Sequence, residues 1–171
     1  MPDLAELSRQ LADNPDGVLE RVAEAHGVTT LTVVQHLPQL HRTLVSGDRL
    51  VEVLDCLRDW GEVLLIINIG GLIAEIKTEI PAVTSARGYL NFHGDAPFGG
   101  HLKEDGCIEI AFVDRPFFGR RSLSVQFFES CGACLFKVFV RRDENRELLS
   151  DQVLMFEALR DRFAGQNYAS A

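Results

Sequence analysis

The stretch "CIEIAFVDRPFFGRRSLSVQFFESCGACLFKVFV", residues 107–140, contains the pattern that decides the fold. Two β-rich runs, 107–114 and 122–130, lie on either side of the turn sequence "RPFFGRR". A Cys-Gly pair at 131–132 then predicts a tight turn into a third run at 133–140. Strands joined by such short turns pair with their neighbours in an antiparallel sheet.

The pattern continues upstream of this stretch. Residues 62–81, "EVLLIINIGGLIAEIKTEIP", read as two strands around a Gly-Gly turn, and "RGYLNFHG" (87–94) and "GGHLK" (99–103) as shorter strands. Runs such as "LLIINI" and "CIEIAFV" are apolar on both faces, so both faces of the sheet should be covered. The terminal helices can cover one face, and we expect a partner subunit, a ligand, or both on the other.

Helical periodicity marks both ends of the chain. Leu4, Leu7 and Leu11 form one apolar stripe, two short helices follow in 16–38, and a third occupies 46–61. At the other end, "ELLSDQVLMFEALRDRFA" is a helix with a candidate cap at Ser150. The sequence therefore predicts one α+β domain over 1–171. It consists of a helical cap (1–61), a large antiparallel β-sheet (62–141) and a C-terminal helix (148–164).

Composition limits the compartment and the partners. The 171 residues carry a formal net charge of −8, which argues against nucleic acid as a partner. No apolar run approaches the roughly 20 residues that cross a bilayer, and the acidic N-terminus lacks the pattern of a signal peptide. We therefore expect a cytoplasmic protein that does not insert into membranes and whose four cysteines are reduced.

Two motifs suggest functions that their surroundings do not favour. "VAEAHGVTTLTVVQHL", residues 22–37, has the rhythm of a DNA-binding helix-turn-helix, but its second helix offers no Lys or Arg, and a packed helical cap is the better interpretation. Cys131 and Cys134 form a CxxC pair in a predicted hairpin turn rather than at the start of a helix, and no second ligand pair for zinc accompanies them. We favour the interpretation that Cys131 and Cys134 are small residues tolerated at a turn. A disulfide between them under oxidising conditions is the alternative.

The histidines of the strand region are the candidate ligands. His93 and His101 flank the loop "GDAPFGG", and Tyr89 and Phe98 lie close by in sequence. Aromatic surroundings of this kind suit a flat apolar molecule, and an imidazole there can ligate iron. No motif of nucleophilic, phosphate-binding or zinc-protease catalysis is present in the sequence, which predicts a binding protein rather than an enzyme.

A family resemblance covers residues 16–163. Its parts occur in order: "DGVLERVAEAHGVTTLTVVQHLP", "WGEV", "RGYLNFHG", "GGHLK", "RPFFGRRSLSVQFF" and "LFKVFVRRDENRELLSDQV". In these segments the chain resembles the heme-utilisation carrier proteins of the HutX/ChuX type. The resemblance implies the HemS/ChuX-like fold, a homodimer formed through the sheets, and intracellular binding of imported heme. The heme would then pass to a heme-degrading or heme-using protein.

The resemblance also assigns site residues. The histidine of "GGHLK", His101, matches the position of the axial iron ligand. Some relatives carry a second histidine on the first β-hairpin, where this chain has Asn68. The iron would then be five-coordinate, or take water, His93 or Tyr89 as its second ligand.

Residue type and turn location add further candidates for the heme site. Lys103, Arg115 and Arg120 are candidates for binding the propionates, and Phe117 and Phe118 for walling the porphyrin. The alternative function is a heme-degrading or tetrapyrrole-modifying enzyme on the same scaffold.

Overall fold

The computed structural model describes residues 1–169, with side chains described as far as residue 166. The helices are α1 (Leu4–Asp13), α2 (Leu19–His26), α3 (Thr30–His36), α4 (Leu50–Leu57) and α5 (Ser150–Ala169). The strands are β1 (Arg42–Ser46), β2 (Val63–Asn68), β3 (Ile73–Thr78), β4 (Ala82–Ala86), β5 (Tyr89–His93), β6 (Gly100–Lys103), β7 (Glu109–Phe117), β8 (Arg120–Phe128) and β9 (Cys134–Phe139). No helix in the described part of the chain is both long and apolar enough to span a membrane.

The strands form two antiparallel sheets. The large sheet has six strands in the order β1-β7-β8-β9-β2-β3, and the small sheet has three in the order β4-β5-β6. The mixed architecture of helices and antiparallel sheet confirms the predicted α+β class. The β7–β8 hairpin closes through Phe118 and Gly119, whose φ angles of 49° and 75° give a turn that matches the twist of the strands.

The boundaries of the predicted parts differ from the structure in three ways. Residues 42–46 lie within the predicted helical cap, yet they form β1, which pairs with β7 at the edge of the large sheet. The predicted single sheet is divided, because β4, β5 and β6 pair only with one another. Strand β4 had no counterpart in the prediction, since "AVTSA" consists of small and polar residues. Its two-residue turn into β5, Arg87–Gly88, has φ angles of 56° and 78°.

Helices cover both faces of the large sheet at its centre. On one face Ile110, Phe112 and neighbouring residues form the main core with α4 and α5. On the other face Ala111, Val113 and Phe128 pack against α1, α2 and α3. Thus the expectation that one face needs a partner or ligand is wrong at β7 and β8, because the N-terminal helices cover it within the chain.

Specific contacts hold the N-terminal helices in place. The Asp16 carboxylate accepts hydrogen bonds from the backbone N–H groups of Phe118 and Gly119, each at 2.7 Å. Lys137, nearly buried on β9, forms an ion pair with Glu20 of α2.

The α2–α3 pair is a structural cap. Leu31, Val33 and Val34 of α3 are buried against the sheet. A Cβ added at Gly132 would lie 2.4 Å from the Thr29 hydroxyl oxygen, so the β8–β9 turn approaches the start of α3 very closely. The helix-turn-helix rhythm of the sequence therefore describes helices that pack inward.

Candidate functional site

The small sheet has one buried face and one exposed face. Leu90 is buried, and Val83, Phe92 and Leu102 pack with it against the main core. The residues that alternate with these point the other way, because successive side chains of a strand face opposite sides. We call this exposed surface the histidine face; it contains Thr84, Tyr89, Asn91, His93, His101 and Lys103.

Asn91 fixes the orientation and the tautomer of the His101 ring. The Asn91 Nδ2 group points to the carbonyl oxygens of Thr84 and Tyr89, at 3.2 and 3.3 Å. Its Oδ1 therefore faces His101 Nδ1 at 2.6 Å, and since an amide oxygen only accepts, Nδ1 carries the proton. The neutral imidazole then has its lone pair on Nε2, which is the form that ligates metals.

His93 is held in a different way on the same face. Its Nε2 is hydrogen bonded to the Thr84 hydroxyl. Nε2 is therefore occupied in His93, whereas it is free in His101. Tyr89 packs edge-on against His101, with ring centroids 6.4 Å apart, and Lys103 lies opposite Tyr89 in the register. The structure thus brings together four predicted site residues: His101, His93, Tyr89 and Lys103.

The donor set of this face suits an iron that brings its own ligands. Within the described residues, no group of three or more His, Cys, Asp or Glu side chains is placed to hold a metal ion. A porphyrin supplies four nitrogens of its own, so a single exposed imidazole with a free Nε2 is sufficient as an axial ligand. An exposed face of aromatic, imidazole and ammonium groups fits such a flat anionic molecule.

Phe98 lies beneath the histidine face rather than on it. Its ring centroid lies 5.0 Å from that of Phe92 and 5.9 Å from that of Phe136, at the edge of the main core. Phe98 therefore supports the small sheet from below.

The remaining predicted site residues lie on the large sheet, away from the histidine face. Arg115 is buried beneath the N-terminal helices, where it donates to the carbonyl oxygen of Pro15 at 3.0 Å and its guanidinium lies 5.2 Å from the Phe117 ring centroid. Burial lowers the pKa of Arg115 despite the nearby carboxylates of Asp16 and Glu20. Phe118 and Arg120 are exposed at the β7–β8 turn.

Asn68 and the cysteines have local structural roles. The Asn68 side-chain oxygen accepts the backbone N–H of Gly70 at 3.0 Å and so closes the β2–β3 turn. Cys131 lies in the β8–β9 turn, as predicted, and Cys134 lies on β9. Burial raises the pKa of the Cys134 thiol to about 12 and that of Cys107 to about 11, which disfavours the reactive thiolate form.

Sequence reasoning missed Asn91 and Thr84, the residues that position the two histidines. The alternation in "YLNFH" places Asn91 on the same side as Tyr89 and His93, and this signal was available. Its pairing with His101 depends on the register between β5 and β6, which the sequence does not state.

Comparison with known proteins gives consistent matches. The family model "Haem utilisation ChuX/HutX" matches residues 43–159. The intracellular heme transport protein HutX of Vibrio cholerae is 35% identical over 158 residues, covering 92% of this chain and 82% of that protein. A crystal structure of a protein from Erwinia carotovora is 42% identical with a TM-score of 0.89, covering 92% of this chain and 98% of that one. The crystal structure of ChuX is 36% identical with a TM-score of 0.87, covering 93% and 98%.

Proposed function

The chain belongs to the ChuX/HutX heme-utilisation family, and on that premise we propose that it binds heme as cargo on the histidine face. It is a heme carrier, and its heme is bound and released rather than converted. A relative with 35% identity is named for intracellular heme transport, and we assign this chain the same role and compartment. The observation that carries the proposed site is the hydrogen bond from His101 Nδ1 to Asn91, which leaves Nε2 free on an exposed surface.

Each residue of the histidine face has a role in this proposal. His101 contributes the axial nitrogen, and Asn91, which accepts the Nδ1 proton, favours the neutral tautomer whose lone pair is on Nε2. Tyr89 and His93 flank the ring plane, and the Lys103 ammonium pairs with a propionate. For His93 to act as a second ligand, its hydrogen bond to Thr84 would have to break.

An open face also suits a carrier that must release its cargo. His101 and Lys103 are both exposed in this chain, so a bound porphyrin would keep one side accessible. A heme-degrading or heme-using protein can approach that side and take the heme. Arg115 is buried beneath the N-terminal helices and supports them. Phe117, Phe118 and Arg120 do not share the histidine face within one chain, so a role for these three in heme binding requires a second copy.

We further propose a homodimer formed through the uncovered part of the large sheet. Leu64, Ile66 and Phe139 are only partly buried there. At the tip of the adjoining β2–β3 hairpin, Ile69 and Leu72 are 71% and 59% exposed.

Charge complementarity favours a second copy as the occupant of this surface. Glu75 and Lys77 lie on the same side of β3 beside the apolar residues. A two-fold axis between them brings each Glu75 to the Lys77 of the other copy.

The heme site is tested by hemin titration followed in the Soret band. Wild type should saturate near one heme per chain, and His101→Ala should shift the band and weaken binding. His26→Ala is the matched control, because His26 is bound to Gln10 within the helical cap. Unchanged binding by His101→Ala would place the ligand elsewhere, and analysis of products with a reductant and catalase present separates a carrier from a heme-degrading enzyme.

The dimer is tested by sedimentation equilibrium. Leu72→Lys should yield monomers where wild type is dimeric. Leu40→Lys is the control, because Leu40 is 76% exposed just before β1, at the opposite edge of the large sheet from β3. A monomeric wild type over the micromolar range would refute the dimer without affecting the heme titration.

A further inference from the structure

Two arginine side chains converge beside the β7–β8 hairpin. Arg120 Nη1 and Arg142 Nη1 both donate to the carbonyl oxygen of Arg146, at 3.3 and 3.0 Å. The two donor nitrogens are therefore no farther apart than the sum of these distances. Like charges this close repel each other, and a bound anion relieves this repulsion.

Neither guanidinium has a carboxylate partner among the residues that the structure describes, within the 4.0 Å that defines an ion pair. The adjacent arginines differ in this respect. Arg121 pairs with Asp114 and Glu157, and Arg141 pairs with Glu62. Glu147 lines the same groove without forming an ion pair. Two guanidinium groups without an ion-pair partner among the described residues thus lie together in a protein whose net charge is −8.

The position of the two arginines is set by the backbone around them. Arg142 also donates through Nη2 to the carbonyl oxygen of Arg121 at 2.6 Å, and its backbone forms a bridge with Leu148. The turn that presents the Arg146 carbonyl is closed by the Asp143 carboxylate, which accepts the backbone N–H of Glu147 at 3.0 Å. A site organised before its ligand arrives loses less entropy on binding.

We propose that Arg120 and Arg142 form a binding site for a phosphate dianion, free or as the monoester of an organic molecule. Two guanidinium groups match the two charges of a phosphate better than the single charge of a carboxylate, and their N–H forks match its oxygens. Leu148, Val153 and Leu154 line the same groove and offer an apolar surface to the organic part of a monoester. This site lies between the β7–β8 hairpin and the start of α5, and it contains no residue of the histidine face.

The test uses phenyl phosphate, inorganic phosphate and benzoate as probes of the full-length protein, with binding followed by calorimetry and amide chemical shifts. Phenyl phosphate should bind to wild type and shift the amides of Arg120 and Arg142. Arg120→Gln and Arg142→Gln should each weaken binding about tenfold, as expected for loss of a charge-assisted hydrogen bond. Arg9→Gln is the control, because Arg9 is exposed on α1 and pairs with Glu6.

The probes also separate the two sources of phosphate. Tighter binding of phenyl phosphate identifies a monoester, whereas equal binding of inorganic phosphate identifies the free anion as the ligand. Benzoate binding as strong as phenyl phosphate would overturn the proposal, as would shifts confined to other parts of the protein. The chemical-shift arm needs only wild type, so it decides the matter even if a variant fails to fold.

Hemin titration of the same variants keeps this proposal distinct from the heme site. Arg142→Gln should bind hemin as wild type does, because Arg142 has no part in the proposed heme site. If Arg142→Gln binds hemin more weakly than wild type, and wild type does not bind phosphate, the arginines bind the heme propionates. That result would overturn the phosphate site. A failed His101→Ala test would leave the phosphate site unaffected, because His101 is not part of that site.

Discussion

Replacing Asn91 with Ala tests the orientation of His101 without removing the proposed ligand. The variant removes the oxygen that accepts the His101 Nδ1 proton at 2.6 Å. The ring then rotates freely and exchanges its two neutral tautomers, so the form with a lone pair on Nε2 is only partly populated. Partners of this kind contribute about 10- to 100-fold to metal affinity.

The exposure of His101 decides where in that range the effect falls. Water reaches the ring and replaces the lost acceptor, so the net cost is that of an ordinary hydrogen bond, about 0.5–1.5 kcal/mol. We therefore expect Asn91→Ala to weaken hemin binding about tenfold at most. Asn91→Asp keeps an acceptor at the same place and should bind hemin at least as tightly as wild type.

The assay is a Soret titration of wild type, both Asn91 variants and His101→Ala, with the rate of heme loss to apomyoglobin as a second readout. Asn91→Ala should lose heme faster, while its saturated spectrum keeps the features of histidine ligation. If Asn91→Ala behaves as wild type while His101→Ala loses heme, orientation by Asn91 is refuted. If Asn91→Asp is as weak as Asn91→Ala, the acceptor at this position is irrelevant.

Three further predictions concern the fold. Phe112→Ala should lower the free energy of unfolding by about 3–5 kcal/mol in urea titrations, because Phe112 is 1% exposed between Phe156 and Phe163; Phe118→Ala, at a position 76% exposed, should change it little. Gly132→Ala should expose amides of α3 to hydrogen exchange, since the new Cβ would meet the Thr29 side chain at 2.4 Å; unchanged exchange would contradict this. Hydrogen bonds from Gly119, Gly17 and Phe118 lower the pKa of Asp16 below its usual 3.8. Its contribution to stability is thus present above pH 3.8 and lost as the pH falls through the lowered value, and Asp16→Asn should flatten this acid dependence in pH-resolved melting.

Much of the fold was accessible from local sequence patterns. Gly70–Gly71 and Cys131–Gly132 predicted two hairpin turns that the structure confirms. Leu4, Leu7 and Leu11 predicted α1, and Gly27 ends α2 in the left-handed conformation that favours glycine. These signals succeed because a turn or a helical stripe depends on residues only a few positions apart.

The candidate site was accessible only in part. Alternation places Tyr89 with His93 on one side of β5, and His101 with Lys103 on one side of β6. The register between the two strands then brings both pairs to the same face. Arg115 and Phe98 carry side chains of the appropriate type, but their burial depends on helices and strands distant in sequence. Residue type alone therefore could not separate a ligand-binding cation from one that supports the N-terminal helices.

The sequence by itself determined the α+β class, most of the hairpins and the strand that carries His101, because periodicity and turn chemistry act locally. Only the tertiary structure decided the order of the strands, the division into two sheets and the coverage of the second face by the N-terminal helices. It also decided the contact that gives His101 its tautomer, since Asn91 and His101 meet only through the register of β5 and β6. Such contacts join residues far apart in the chain, and no local pattern specifies which of the compatible pairings packs best.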